Sequence, residues 1–475
     1  MAEEKWLVMI YLAGDNNLSE ECVYALTELK KTFNNRIKIF AQYDPIGSKI
    51  PVHRYEINRG KSPNVGGPSN TPQTGSKAGS PEKLAKDIVA FENGPHKYPH
   101  ANAASRRPVA AGTAIEEPDT GSPEALFDFI SWSTDQFKAD RNLLILAGHG
   151  SGTQQDYLLK DENPKSSLSI PQFRQVFEAV RDVIKIKIDI LGLDVCLMSM
   201  AEICFELNGL VDYMVASESY SPRAGWPYQQ ILSALGTELD KNGVADPAEV
   251  AKSIVREYTR FYSDYVVSGL SVDQSVIKVS GSPALAAKVK ALAGVLKNEL
   301  NQKPFCDAIV LAHWEAQSYN GEQFVDLYDF CDLLGQRYGL NGVPTACTAV
   351  MDEIRNSVVL LSCFDGIKYQ YSYGLSIYFP WAEVAPYYKE LTFATGSDWN
   401  DFLETYVERT RRKPRGDMTR VFFSEKLFRK TTGHGPDEDT AILSMRNPPQ
   451  ELAHVPECIE DPTEFINTFK EINFR

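Results

Sequence analysis

Asn142-Leu-Leu-Ile-Leu-Ala-Gly148 runs directly into His149-Gly150-Ser151-Gly152, and Ile188-Asp-Ile-Leu-Gly-Leu193 runs into Asp194-Val195-Cys196. Short apolar runs rich in Leu and Ile, with a glycine-rich or polar exit, read as buried strands of a parallel sheet. In an open parallel sheet, ligand crevices form beyond the carboxyl ends of the strands. Two neighbouring strand ends therefore bring an imidazole and a thiol to one crevice, the pairing that nucleophilic cysteine hydrolysis needs.

Further strand candidates surround this pair: residues 6–13, 37–43 and 211–217. Helical patterns lie between them. Leu18 to Phe33 is one, and Ser122-Pro123-Glu124 opens another with a cap residue, a first-turn proline and an acid. Alternating strands and helices predict an α/β fold, a mostly parallel sheet with helices on both faces.

The stretch from about Pro45 to Pro118 breaks the rhythm and reads as an insertion. Gly60 to Pro81 is almost wholly Gly, Ser, Pro, Asn, Thr and Lys, too polar to order itself by burial. Val52–Ile57 is a short strand candidate within it and Glu82–Phe91 a short helix. Residues 1–245 are thus expected to form a catalytic domain carrying this insertion. Residues 246–423 continue as an α/β part that completes the fold, with helices at 246–264 and 283–301 and strands at 308–312, 358–361 and 375–379. Residues 424–475 turn polar and proline-dotted, a tail packed on the surface.

Bulk properties narrow the function. Hydrophobic residues make up 43% of the chain and charged residues 24%, ordinary for a globular protein with a sizeable core. A formal net charge of −14 argues against nucleic acid and acidic membranes as partners. No hydrophobic stretch approaches a membrane span. The run Trp6 to Ala13 lacks a cleavage site and reads as a first strand rather than a leader. Eight scattered cysteines without a CxxC pair suggest neither disulfides nor zinc, and a cytoplasmic setting is the natural expectation.

Cys196 is followed by Met200, Ile203, Cys204 and Leu207 at helical spacing, which places the thiol at a strand-to-helix turn where a helix dipole favours thiolate. Most cysteines are inert and buried, and Cys204, on the apolar stripe, fits that description. A lone histidine is also more often structural, but His149 is flanked by glycines just after a buried strand. Gly150 permits close backbone approach, and its N–H is available to an oxyanion. A second Gly-His-Gly, Gly433-His434-Gly435, lacks a preceding strand and reads as a turn. His53, His96 and His100 fall in the insertion.

These segments, together with Tyr11-Leu-Ala-Gly-Asp-Asn-Asn-Leu18, Asp119-Thr-Gly-Ser-Pro-Glu124, Ala216-Ser-Glu218, Gly225-Trp226 with Tyr228, Val325-Asp-Leu-Tyr-Asp-Phe330 and Gly374-Leu-Ser-Ile-Tyr-Phe-Pro380, resemble the clostripain-like cysteine peptidases (C11) of the caspase-hemoglobinase group. The resemblance covers most of the chain except the insertion and tail. It implies a caspase-like α/β/α sandwich and a His149–Cys196 dyad, with no third member evident. Cys196 would attack the scissile carbonyl, His149 would protonate the leaving amine, and the N–H groups of Gly150 and Cys196 would hold the oxyanion.

The resemblance also implies cleavage of peptide or protein substrates after Arg or Lys, with Asp194 as an acid of the substrate pocket. Helix capping is the equal alternative for Asp194. Relatives often place a second acid just before Gly-Trp. Here Arg223-Ala224 stands there, Arg223 opposes a cationic side chain, and Glu218 is the compensating candidate. Some relatives cut themselves between the histidine and the cysteine, an interval that holds Lys160, Lys165, Arg174 and Arg181. The polar loop Lys160–Ser166 is the best candidate there, and Arg106-Arg107 in the insertion is another. No cofactor is required. Calcium dependence occurs in the family, but no EF-hand pattern is present, and Asp437-Glu438-Asp439 reads as a solvated loop. The expected function is a cysteine endopeptidase. Its rivals are a non-catalytic peptidase-like scaffold and a redox thiol protein, the latter weakened because Cys204 is too distant to bridge Cys196.

Overall fold

The computed structural model describes residues 4–47, 52–57, 119–154, 158–163, 165–265, 271–321, 323–337 and 342–411. The expected helix at 82–91, Arg106-Arg107, Gly433-His434-Gly435, Asp437–Asp439 and the tail lie outside the described residues. In chain order the strands are β1 (Trp6–Gly14), β2 (Ile37–Pro45), β3 (His53–Ile57), β4 (Arg141–Ala147), β5 (Leu158–Glu162), β6 (Lys165–Leu168), β7 (Ile188–Asp194), β8 (Val211–Ala216), β9 (Val272–Lys278), β10 (Ser318–Tyr319), β11 (Phe324–Asp326), β12 (Val359–Asp365) and β13 (Ser376–Tyr378).

Eight of them form one sheet in the order β12-β9-β8-β7-β4-β1-β2-β3. From β2 through β8 every neighbouring pair is parallel. β3 closes one edge antiparallel to β2, and β9 closes the other antiparallel to β8, with β12 outside it. Both late strands come from the second half of the chain, so that half completes the same sheet.

The central strands are buried on both faces, which is why they read as continuous apolar runs. All nine residues of β1 are buried. Because successive side chains alternate faces, Leu7, Met9 and Tyr11 join a core with Phe129, Phe173 and Leu292, from helices 123–136, 170–179 and 282–299. Trp6, Val8 and Ile10 join a second core with Leu26, Leu235 and Tyr258, from helices 19–29, 228–242 and 247–265. The result is a helix–sheet–helix sandwich, as the alternation of strands and helices predicts. Ser122 caps helix 123–136 by accepting from Ala125 N, with Pro123 in the first turn. Among the described residues, no helix is long and apolar enough to cross a membrane.

Three expectations need correction. Residues 308–312 lie inside helix 303–315 rather than a strand. A short, continuous apolar run does not distinguish the two, and the proline in the helix's first turn was the stronger signal. The polar stretch 160–166 is a β-hairpin: Lys160 lies within β5 and Lys165 opens β6. No helix starts at Cys196. Residues 195–200 form a loop, and a short helix spans Ala201–Glu206, beginning five residues beyond the thiol.

Candidate active site

β4 and β7 are neighbours, and Ala147 pairs with Asp194, so the two strands end level. Gly148 N then donates to Asp194 O, holding the two exits together. The next contact admits no side chain. A Cβ on Gly150 would lie 2.5 Å from the carbonyl oxygen of Cys196 and 3.2 Å from its nitrogen. Glycine after His149 is therefore what lets the histidine loop rest on the backbone of Cys196. Among the described residues, neither the Gly150 N–H nor the Cys196 N–H donates a hydrogen bond, and Leu197 turns the chain away with φ +65°.

His149 and Cys196 open into the same cavity, together with Asp194, Glu21, Arg223 and Gly225. His149 Nε2 lies 2.6 Å from Asn17 Oδ1. Asn17 sits in the loop that leaves β1, the strand next to β4, so a third strand end contributes to the site. The sequence reading found no third partner for the histidine. The available signal was the polar Asp15-Asn16-Asn17 directly after a buried strand. Asn16 fixes this loop by donating to Ala13 O and Lys160 O.

The Cys196 thiol accepts a hydrogen bond from Ser221 N at 3.3 Å. Its loop is pinned to the segment after β8 by Leu197 N to Ser219 O and Ser199 N to Ser217 O. Asp273 holds that segment in turn, accepting from Glu218 N and Ser219 N. Burial pushes the thiol up to about 11, the carboxylates of Asp194 and Asp273 add to the rise, and the Ser221 N–H opposes it. The expected depression by a helix dipole is absent because the helix begins too late. Burial also lowers the His149 imidazole, helped by the charges of Lys160 and Arg223 and opposed by Glu162. Burial thus favours the uncharged form of both the thiol and the imidazole.

Asp194 does not cap a helix. Its Oδ2 accepts from Trp226 N at 3.0 Å and Tyr228 Oη at 2.8 Å, while Oδ1 carries no hydrogen bond among the described residues. Burial pushes its carboxyl up to about 6, against those two donors. Gly225, at φ +69°, lies so close that an added Cβ would meet Asp194 Oδ2 at 2.9 Å. The Trp226 indole covers Gly192 of β7 in the same way, anchoring this wall of the cavity.

Glu218 is elsewhere. It is fully buried, accepts from Gly374 N at 2.8 Å and lies outside the cavity lining. Burial raises its carboxyl, and Asp326 and Asp273 beside it raise it further. It ties the Ala216–Glu218 segment to the second half of the chain and is not brought together with Asp194. Among the described residues, no group of three or more His, Cys, Asp or Glu side chains is placed to hold a metal ion, and the seven described cysteines are free thiols.

Residues 10–406 match the clostripain family, Peptidase C11. Clostripain from Hathewaya histolytica is 28% identical over 146 residues, a stretch covering 27% of this chain and 27% of that protein. A secreted C11 cysteine protease from Bacteroides thetaiotaomicron, solved with an irreversible peptide inhibitor, has a TM-score of 0.57 at 16% identity, over 83% of this chain and 99% of that one. An inactive zymogen C11 protease from Parabacteroides distasonis gives 0.52 at 18% identity, over 84% and 99%. These likenesses establish the fold, and the match across most of the sheet and the cavity establishes descent: the chain belongs to the clostripain family of cysteine peptidases.

Proposed function

We propose that this chain is a cysteine endopeptidase that cuts peptide or protein substrates after Arg or Lys, with Cys196 as nucleophile and His149 as proton carrier. One observation carries the reading: imidazole, thiol and a carboxylate with an open oxygen share one cavity at the level ends of adjacent parallel strands.

Asn17 Oδ1 faces Nε2, so the neutral ring keeps its proton there and its lone pair on Nδ1. In the proposed reaction Sγ bonds to the scissile carbonyl carbon as the thiol proton passes to Nδ1. The N–H groups of Gly150 and Cys196 receive the oxyanion. The imidazolium then protonates the amine as the C–N bond breaks, leaving a thioester. Water adds to the thioester, gives its proton to His149, and releases the acid and the thiol. A neutral resting pair suits this order, because the thiolate need form only when a carbonyl is there to receive it. The open Oδ1 of Asp194 would meet the P1 cation, while Trp226 and Tyr228 keep the other oxygen fixed.

The test is hydrolysis of fluorogenic peptides that differ only at P1, by the wild type and Cys196→Ala. Cleavage after Arg or Lys, absent from the variant, is expected. Thiol-dependent cleavage only after other residues would remove the basic preference. No turnover by folded protein, with calcium supplied, would favour the non-catalytic scaffold.

A further inference from the structure

The cavity holds a second carboxylate that neither the proposed reaction nor Asp194 accounts for. Glu21, in the first turn of helix 19–29, lines the same cavity from beyond the carboxyl end of β1. Its Oε1 lies 2.9 Å from a guanidinium nitrogen of Arg223, and the same nitrogen donates to Asn17 O. Its Oε2 is buried and has no hydrogen-bond partner. A buried carboxylate oxygen left unpaired is costly, and this one belongs to a cavity that opens beside a nucleophile. Burial raises the Glu21 carboxyl, opposed first by its own backbone N–H and then by the charge of Arg223.

The charges can be counted. Two carboxylates, Glu21 and Asp194, line the cavity with one guanidinium, that of Arg223, which is paired to Glu21. The Arg223 fork spends one nitrogen on both Glu21 and Asn17, so Glu21 is met by a single contact where a fork-to-fork pair would use both oxygens. Arg223 is 41% exposed at its side chain against 16% for Glu21, so the arginine is the partner with freedom to withdraw toward solvent.

We propose that Glu21 is the second acid of the P1 pocket, supplying the carboxylate that Ala224 lacks, and that Arg223 is its built-in competitor. An entering Arg or Lys side chain pairs with the carboxylates of Asp194 and Glu21, and Arg223 sets how strongly the pocket rewards that charge. The inference rests on the basic-P1 reading above and extends it to the residues that tune it.

A substrate pair that differs only in charge tests it: one peptide with Arg at P1 and its citrulline counterpart. The quantity read is the ratio of their kcat/KM values for wild type, Glu21→Gln, Arg223→Gln and the double variant. Both substrates meet the same dyad, so the ratio is insensitive to the folded fraction and to any change in His149. Glu21→Gln is expected to lower the ratio about tenfold, the effect of leaving Arg223 uncompensated in a half-buried pocket. Arg223→Gln, which keeps a donor for Asn17 O, is expected to raise it by about the same factor. The double variant should return near the wild type, because removing one charge of each sign leaves the net charge of the pocket unchanged.

A ratio unmoved by Glu21→Gln, or lowered by Arg223→Gln, overturns the inference while Cys196-dependent cleavage after Arg leaves the parent reading standing. If the wild type shows no preference for Arg over citrulline, the parent reading falls. The inference, which rests on it, falls with it.

Discussion

An alanine at position 150 would put a methyl carbon 2.5 Å from the carbonyl oxygen of Cys196, 3.0 Å from Cβ of Val195 and 3.2 Å from the Cys196 nitrogen. Non-bonded heavy atoms rest about 3.5 Å apart, so the histidine loop and the cysteine loop must separate by roughly 1 Å to admit it. None of the three atoms can rotate out of the way, since two are backbone and the third is the branch point of a buried valine. The displacement falls on Cys196, the proposed nucleophile, and on both N–H groups proposed for the oxyanion. A shift of that size in a catalytic constellation costs about 100-fold in rate. Overpacking of this kind typically costs about 1–3 kcal/mol of stability, which leaves the sheet intact. Gly150→Ala is therefore expected to fold, with a modestly lower Tm, and to lose about two orders of magnitude in kcat/KM on a basic-P1 peptide. Gly294→Ala is the control: it lies in helix 282–299 with nothing within 4 Å of the added carbon, and should keep full activity. Folded Gly150→Ala with activity within about fivefold of wild type would refute the reasoning, because the close approach would then have no part in placing the dyad.

The remaining predictions concern single groups. Asn17→Ala frees Nε2 of His149 and should lower kcat by about tenfold or more, with a changed pH profile as the ring loses its fixed tautomer, whereas KM stays near its wild-type value. Asp194→Asn keeps an acceptor for Trp226 N and Tyr228 Oη, so the cavity wall should stand while kcat/KM for Arg substrates falls by about 10- to 100-fold and that for citrulline changes little. In the wild type, protonating Asp194 should raise KM for basic P1 as pH drops through about 6, with no such limb for citrulline. The buried acids Glu218, Asp273 and Asp326 are all raised by burial, Asp273 to about 6 and Asp326 to about 8. Their folded values lie above the unfolded carboxylate range near 4, so their stabilising contribution is present at low pH and is lost as pH rises toward 8. Glu218→Gln, which can accept from Gly374 N and donate to Asp326, should gain Tm relative to wild type at pH 8 and not at pH 5, measured by thermal unfolding.

The sheet was legible because its central strands are long, apolar and buried on both faces, and because each ends in a glycine or a polar residue. That pattern located β1, β4 and β7, and the parallel-sheet rule then placed His149 and Cys196 at one crevice. It failed where the period was too short to read: residues 308–312 are helical, and the polar hairpin at 160–166 hides its pairing in lysine, aspartate and glutamate. The site residues divide in the same way. Groups that follow a strand directly were found, whereas Asn17 meets His149 from a loop and Glu21 meets the cavity from a helix turn, and no spacing reveals the direction of either. Asp194 and Glu218 looked alike as acids near strand ends. Only the hydrogen bonds from Trp226 and Tyr228, against those from Gly374 and toward Asp326, separate a pocket acid from a structural one.

The order of strands across the sheet also governs when the protein can become active during synthesis. β1 leaves the ribosome first, yet it pairs with β4, whose residues follow more than a hundred positions later. The cavity draws on segments at 12–25, 147–149, 194–196 and 221–228, so it has no complete wall until the last of these has emerged. Contacts of such long sequence separation form slowly, because loop closure precedes any gain from pairing. β9 and β12 arrive later still, completing the edge next to β8 only after residue 365. A nascent chain therefore exposes Cys196 before the cavity wall and the flanking edge strands that surround it are in place.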